Sequence, residues 1–300
     1  MINHSKTMPF CTLMVLGLFL FSSATISQSQ PDTLLIASYD VHWKGLRIMT
    51  IDSRSEISDD HYSQAITMRT RGLLKLFVDG RIVASSEGRL GKNATLFPEK
   101  YESEGQWDED YYLRRISYNS DGTPSEIVID MPEDWLDREP VPEELQHALD
   151  PLSLIIYAIS DPWNLITNAA NDTRDENPSG QMTSFDGLQS MAYQLTCDAT
   201  PGKVKKRRRT IYEGPAYLCI FTGQQTAGYL RDGDDDKNSD EDEIEIRTIQ
   251  IWLVPTLDSG QFIPVIIEMK SSRGKIKIFL KEFNQELSLE YDGEIGRLSP

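Results

Sequence analysis

Residues 35–43 read Leu-Ile-Ala-Ser-Tyr-Asp-Val-His-Trp, and this stretch indicates how the chain folds. Its apolar and aromatic side chains recur at every second position: Leu35, Ala37, Tyr39, Val41 and Trp43. Successive side chains of a β-strand point to opposite faces, so this spacing predicts a strand with one apolar face. Gly45 follows, and we expect residues 46–51 to form a continuation of this strand or its partner.

The same period of two recurs along most of the chain and predicts mostly antiparallel strands. The stretches that show it are 66–71, 112–118, 127–131, 191–197, 217–221, 265–269 and 276–280. Residues 119–122 and 271–274 separate paired stretches and suit tight hairpin turns. Between residues 244 and 254 the apolar positions change phase, which predicts a β-bulge near Arg247–Thr248. The predicted fold is mainly β, a large curved antiparallel sheet with one or two short helices.

Helical signals are confined to the middle of the chain. Residues 142–149 have an acidic start and predict a short helix. In 150–159, Asp150 suits the N-cap and Pro151 the first helical position. This second segment is apolar on nearly all sides, so we expect it to be buried against an open sheet. The polar stretch 168–184 is predicted to be a loop between two halves, 34–165 and 180–285, of a β-rich domain spanning 34–290.

The N-terminus has the features of a secretory signal. Lys6 precedes an apolar run at 10–21, and small residues follow. The run is shorter than the ~20 residues that span a bilayer as a helix. We therefore predict a signal peptide at 1–27, cleaved after Ala24 or Ser27, with an uncleaved anchor as the alternative. Export would place the mature protein in the periplasm, with no transmembrane span.

Composition restricts the partners. The chain carries 30 basic and 47 acidic side chains, a net charge of −17. Such a charge repels nucleic acids and anionic membrane surfaces, so no nucleic-acid role is expected. We expect a monomer.

Cys197 and Cys219 would both remain after cleavage, and an oxidising compartment favours a disulfide between them. If residues 206–212 formed a strand between the two cysteine-bearing strands, the cysteines would lie ~9.5 Å apart. A disulfide requires Cα atoms within about 7 Å. A disulfide and two buried thiols therefore both remain open.

Enzyme motifs are not evident in the sequence. His42, His61 and His147 are not in metal-ligand spacing, and no nucleophile or phosphate-loop motif is found. We predict a non-enzymatic protein; an envelope hydrolase that uses two of the carboxylates is the least favoured alternative.

Two charged runs stand out. The acidic run contains oxygen-bearing residues at the spacing of a calcium loop: Asp234, Asp236, Asn238, Asp240, Asp242 and Glu245. Ser239 stands where that loop requires glycine, so a solvated loop is the favoured interpretation. A calcium site is the alternative. No other cofactor is predicted. The basic run 203–209 is interpreted as an exposed strand edge or as a holder of a phosphate or carboxylate.

Several ordered segments resemble the bacterial exported family called domain of unknown function 3108. They are 39–45, 69–74, 86–89, 98–101, 150–153, 185–187, 212–219, 227–229, 251–253 and 264–265. The resemblance implies a periplasmic β fold, a spiral or half-open barrel akin to lipoprotein carriers, and no established activity. Where that family commonly has a cysteine before its Phe-Asp-Gly segment, residues 175–184 have none.

Two functions fit these observations. The first is a non-enzymatic envelope protein that binds a protein partner or supports envelope integrity. The second is a carrier of a lipid or other apolar ligand on the concave face of the sheet. The side chains proposed to line that face are Trp43, Met68, Tyr193 and Phe221.

Overall fold

In the computed structural model, residues 35–43 belong to strand β1 (Thr33–Trp43), which lies in the middle of a large antiparallel sheet. Leu35, Ala37, Tyr39 and Val41 are buried, as the alternation predicts. The structure describes residues 33–92, 95–160, 181–206, 208–231, 247–257, 261–271 and 274–285, with short pieces at 290–291, 294–295 and 297–298. The signal peptide predicted at 1–27 lies outside these residues and stays a prediction.

The strands that follow β1 form two meanders joined by the pairing of β1 with β14. They are β2 (Leu46–Ile57), β3 (His61–Thr70), β4 (Gly80–Leu90), β5 (Leu96–Trp107), β6 (Asp110–Tyr118), β7 (Pro124–Asp130), β8 (Gln181–Phe185), β9 (Ser190–Cys197), β10 (Gly202–Val204), β11 (Tyr212–Ala227), β12 (Arg247–Pro255), β13 (Phe262–Ser271), β14 (Gly274–Phe283), β15 (Glu290–Tyr291), β16 (Glu294–Ile295) and β17 (Arg297–Leu298).

The strand order is β7-β6-β5-β4-β3-β2-β1-β14-β13-β12-β11-β9-β8. β10 and β17 also pair with β11, and β15 pairs with β16. The β6–β7 and β13–β14 hairpins form across the turns that the sequence predicts. The prediction of a mainly β fold with a large antiparallel sheet is confirmed.

Three short helices follow β7: α1 (Glu133–Leu136), α2 (Glu143–Gln146) and α3 (Pro151–Ser160). α3 begins where predicted, because Asp150 Oδ1 accepts the backbone N–H groups of Leu152 and Ser153, each at 2.9 Å. The predicted helix at 142–149 is only the single turn α2. The end of the predicted loop at 168–184 is wrong, since residues 181–184 pair with β9 as part of β8.

Helix α3 is the core around which the sheet curves. Leu152 packs with Ala84 and Phe185, whereas Ile156 packs with Leu35 and Tyr62. Leu154 belongs to a third buried cluster formed by β8, β9, β11, β12 and β13. Strands from both meanders therefore contact a single 10-residue helix, which requires the sheet to bend around it.

The two edge strands, β7 and β8, approach each other without pairing. Arg114 on β6 forms an ion pair with Asp186, which follows β8. A Cβ atom at Gly187 would lie 3.5 Å from Ile127 on β7. The chain between the edges also pairs with β8, since Phe185 N–H donates to the Leu149 carbonyl at 2.9 Å. The sheet is therefore held as a half-open barrel.

A second layer covers the outer face of β12–β14. Val204 and Tyr212 share a buried cluster with Ile266 and Phe279, which point away from α3. This explains why both neighbours in the pairs Val265–Ile266 and Phe279–Leu280 are buried. Strands covered on both sides carry continuous apolar runs rather than alternation. The bulge predicted near Arg247–Thr248 is wrong for the described part of β12: pairing with β11 is unbroken from Arg247, and the irregularity is opposite β13 at Trp252/Leu253.

Candidate functional site

The predicted ligand-contact residues lie on the inward face of the sheet. Trp43 and Phe221 belong to one row of directly opposed side chains across six strands: Trp43, Ile276, Met269, Ile249, Phe221 and Leu195. Met68 belongs to a second row, which runs Tyr39, Ile51, Met68, Ile82, Gly105 and Tyr112. Both rows start on β1 at positions that share its apolar face, so they line the same side of the sheet.

The four residues do not form one compact site. Tyr193 and Phe221 stack with ring centroids 4.7 Å apart. Trp43 is four strand spacings from Phe221, roughly 19 Å along the sheet, and Met68 lies two strands from β1 in the other direction. The sequence therefore identifies a common face, but it does not identify a pocket.

Burial changes along this face. Next to α3, inward side chains such as Leu35, Leu195 and Cys219 are buried. Toward the Trp43 end, Trp43, Met68 and Phe221 are half-buried. The space under α3 is filled by its own apolar side chains, and the less covered part of the inward face lies beyond the helix.

A buried polar cluster surrounds the start of α3. Ser86 Oγ donates to Asp150 Oδ2 at 2.9 Å, and Ser153 Oγ also bonds to that oxygen. Tyr62 Oη lies 2.6 Å from Ser153 Oγ. Burial raises the pKa of Asp150, and hydrogen bonds from Ser153 and Ser86 offset this only in part.

This cluster has the composition of a catalytic site but not its geometry. Among the described residues, Asp150 accepts four hydrogen bonds, two at each carboxylate oxygen, from Ser86, Leu152 and Ser153. The two serine hydroxyls are therefore donors to a carboxylate that caps a helix, and both are shielded from solvent. The arrangement stabilises α3 and provides no exposed nucleophile.

Tyr101 and Tyr118 lie beside the same cluster. Burial raises the pKa of Tyr101 to about 12, and burial also raises the pKa of Tyr118. Tyr118 Oη is buried and has no hydrogen-bond partner among the residues that the structure describes. Both phenols are therefore neutral at physiological pH.

Cys197 and Cys219 are directly opposite each other on β9 and β11. Their sulfur atoms are 2.05 Å apart, a disulfide distance, and their Cα atoms are 4.0 Å apart. The expected obstacle, a strand at 206–212 between them, is not formed, because β9 pairs directly with β11. The pair lies in the buried cluster that also contains Leu154 of α3.

An exposed apolar patch that no sequence pattern indicated lies between α1 and the end of β11. It consists of Trp135, Leu136, Tyr229 and Leu230, exposed by 49, 44, 39 and 53%. Backbone bonds hold its two segments side by side: Glu139 N–H donates to the Tyr229 carbonyl at 2.8 Å, and Arg231 N–H donates to the Asp137 carbonyl at 3.0 Å. The sequence feature that could have indicated this patch is the occurrence of two apolar pairs, Trp135–Leu136 and Tyr229–Leu230, in segments that show neither strand nor helix periodicity.

The remaining predicted residues divide into two groups. The calcium-spaced residues 234–245 lie outside the described residues, so that site stays a prediction. Of the basic run, Arg209 donates to the Gly45 carbonyl at 2.6 Å, which ties this segment to the β1–β2 turn. Within the described ranges, no three His, Cys, Asp or Glu side chains converge as metal ligands. No helix among those residues has the length and apolar character of a membrane span.

The chain is similar to proteins of unknown function. The family model described as Protein of unknown function (DUF3108) matches residues 38–281. A similar solved structure is the crystal structure of a beta-barrel-like protein of domain of unknown function DUF1849 from Brucella abortus. It is 11% identical, the match covers 84% of this chain and 98% of that chain, and the TM-score is 0.43. No curated protein matches significantly.

Proposed function

We propose that this chain, which belongs to the DUF3108 family of proteins of unknown function, is a non-enzymatic protein of the bacterial envelope that binds a protein partner. The observation that carries the proposal is the exposed apolar patch of Trp135, Leu136, Tyr229 and Leu230. Exposed apolar side chains gathered on two neighbouring segments are typical of interaction sites. Tryptophan and tyrosine are also the residues that most often dominate binding energy at protein interfaces.

The surroundings of the patch favour binding by a preformed surface. Arg138 Nη1 donates to the Gly228 carbonyl at 2.8 Å, and Trp135 stacks edge-on against Tyr112 of β6 with centroids 5.9 Å apart. The ion pair of Arg231 with Asp137 at 3.5 Å adds a charged rim. A patch fixed in this way loses little conformational entropy when it binds.

A cross-linking experiment tests the proposal. A photo-reactive amino acid at position 135 or 230 should yield an adduct with the same envelope protein, whereas one at Asp121, in the distant β6–β7 turn, should not. With that partner purified, Trp135→Ala should weaken binding roughly 30-fold, the loss expected for an interface hot spot. Tyr111→Ala is the matched control, since Tyr111 is 47% exposed but lies outside the patch. Equal adducts at all three positions, or unchanged affinity of Trp135→Ala, would contradict the proposal.

Export is part of the proposal. The N-terminal signal pattern and the facing Cys197 and Cys219 both suit an oxidising compartment. Mass spectrometry of the protein recovered from a periplasmic fraction should show a chain that begins at Thr25 or Gln28. A full-length chain retained in the cytosol would contradict export but leave the patch proposal untouched.

A carrier of an apolar ligand is the second candidate, and the half-buried inward rows favour it. An acyl chain lying across Trp43, Met269 and Phe221 would bury these half-exposed side chains, just as α3 buries the side chains at the other end of the inward face. Native mass spectrometry of the periplasmic protein distinguishes the two functions. A co-purifying lipid that Phe221→Asp removes would support the carrier, and apoprotein throughout would exclude it.

A further inference from the structure

A polar cavity of about 360 Å³ lies beside the 3₁₀ turn Gly72–Leu76, which joins β3 to β4. Four cationic side chains line it: Arg69, Arg71, Lys75 and Arg81. The acidic side chains of the lining are Asp79 and Asp108, so the cations are in excess. This local excess contrasts with a chain whose net charge is −17.

The register places two of these cations against each other. Arg69 and Arg81 are directly opposed in the antiparallel β3–β4 pairing. Opposed side chains have Cβ atoms about 5 Å apart, and like charges at that spacing are destabilising. Arg69 also lies 3.2 Å from Asp52, which offsets part of the repulsion. Arg81 forms no ion pair with a carboxylate among the described residues.

The guanidinium of Arg71 can also donate hydrogen bonds to a ligand. Arg71 Nε donates to Thr50 Oγ1 at 3.3 Å, and its terminal nitrogens form no hydrogen bond within the described part of the chain. Lys75 Nζ is 3.6 Å from Asp79. Asp108 Oδ1 accepts the backbone N–H of Asp79 at 3.1 Å. Arg71 and Arg81 therefore line the same cavity, and neither forms an ion pair with a carboxylate of the described residues.

We propose that this cavity binds a phosphate-like oxyanion through Arg71 and Arg81, with Arg69 and Lys75 adding positive charge. A guanidinium presents two parallel N–H donors that match two oxygens of a phosphate. An anion there would also offset the repulsion between Arg69 and Arg81. The phosphate can belong to a free ion or to a lipid headgroup, and the chemistry of recognition is the same.

Titration calorimetry with inorganic phosphate is the first test. Arg71→Gln/Arg81→Gln should bind phosphate at least tenfold more weakly, since charge-assisted hydrogen bonds are lost. Arg54→Gln/Arg89→Gln removes the same charge from exposed ion pairs elsewhere and should bind like the wild type. Without phosphate, Arg81→Gln alone should raise the melting temperature, because it relieves the opposed charges. A cooperative melting transition of the double variant shows that it folds.

Vesicles identify the source of the phosphate. Phosphatidylcholine vesicles with and without phosphatidic acid are mixed with the same variants and floated. Binding to phosphate alone would assign the site to a free anion, and binding to phosphatidic acid vesicles alone would assign it to a headgroup. In both cases the Arg71→Gln/Arg81→Gln variant should lose the binding. The proposal is overturned if neither probe binds, if both double variants lose binding equally, or if Arg81→Gln lowers the melting temperature.

Discussion

At the scale of single residues, Asp150 connects the helix to the sheet. Its carboxylate caps α3 and accepts a hydrogen bond from the hydroxyl of Ser86 on β4. Removal of a helix cap costs about 1 kcal/mol, and each buried donor left unpaired costs a further 1–3 kcal/mol. The sequence predicts the cap from the Asp-Pro pair, but the bond to Ser86 spans 64 positions and has no sequence signal.

The pH dependence of this carboxylate gives a prediction. Burial raises the pKa of Asp150 above its ordinary 3.8, so the folded state binds the proton more tightly than the unfolded state. The free energy of unfolding therefore falls as pH rises from about 4 through the raised pKa, by about 1.4 kcal/mol for each pH unit that separates the folded and unfolded pKa values. Asp150→Asn lacks this loss, so the stability advantage of the wild type should shrink between pH 4 and pH 7.

Urea denaturation of both proteins across this range measures the difference. Asp59→Asn, at an exposed bend, is the control for the removal of a surface carboxylate. An advantage over Asp150→Asn that grows with pH would mean that the carboxylate is stabilised in its charged form.

At the scale of strands, alternation locates the elements better than it locates their partners. The hairpins were predictable because Asp121–Gly122 and Arg273–Gly274 mark short turns between apolar runs. The adjacency of β9 and β11 was not predictable. The chain between these strands does not form a strand that separates them, but includes β10, which pairs with residues 214–216 near the start of β11. The missed apolar patch has the same cause: its two segments become neighbours only after the sheet bends.

The facing cysteines give the prediction at this scale. Replacing both, as Cys197→Ala/Cys219→Ala, should lower the free energy of unfolding by roughly 3 kcal/mol, because a cross-link over 22 positions no longer restricts the unfolded chain. Chemical denaturation checks the magnitude, and peptide mapping without reductant checks the bond. A wild type whose denaturation midpoint does not respond to reductant would contradict this account.

At the scale of the whole sheet, side-chain contacts rather than strand pairing connect the two edges. The strand path ends at β7 and β8, and the ion pair of Arg114 with Asp186 connects residues near those two edges. Asp186 Oδ1 also accepts the N–H groups of Leu188 and Gln189 at 3.0 Å, which fixes the β8–β9 turn for this contact. A sequence pattern predicts a large sheet, but it does not predict this ion pair, which joins residues 72 positions apart.

Arg114 and Arg115 allow a matched test of closure, because the two neighbours point to opposite faces of β6. Arg114 is paired with a carboxylate that is 9% exposed, whereas Arg115 bonds Glu102 at 2.8 Å on the outer face. Arg114→Gln should cost about 1.5–3 kcal/mol and speed amide exchange in β7 and β8, since the edges separate more easily. Arg115→Gln should destabilise the protein far less than Arg114→Gln, because exposed ion pairs contribute little, and should leave exchange at the edges unchanged. If hydrogen exchange showed the same protection of β7 and β8 in both variants, the ion pair would not be what holds the open sheet around α3.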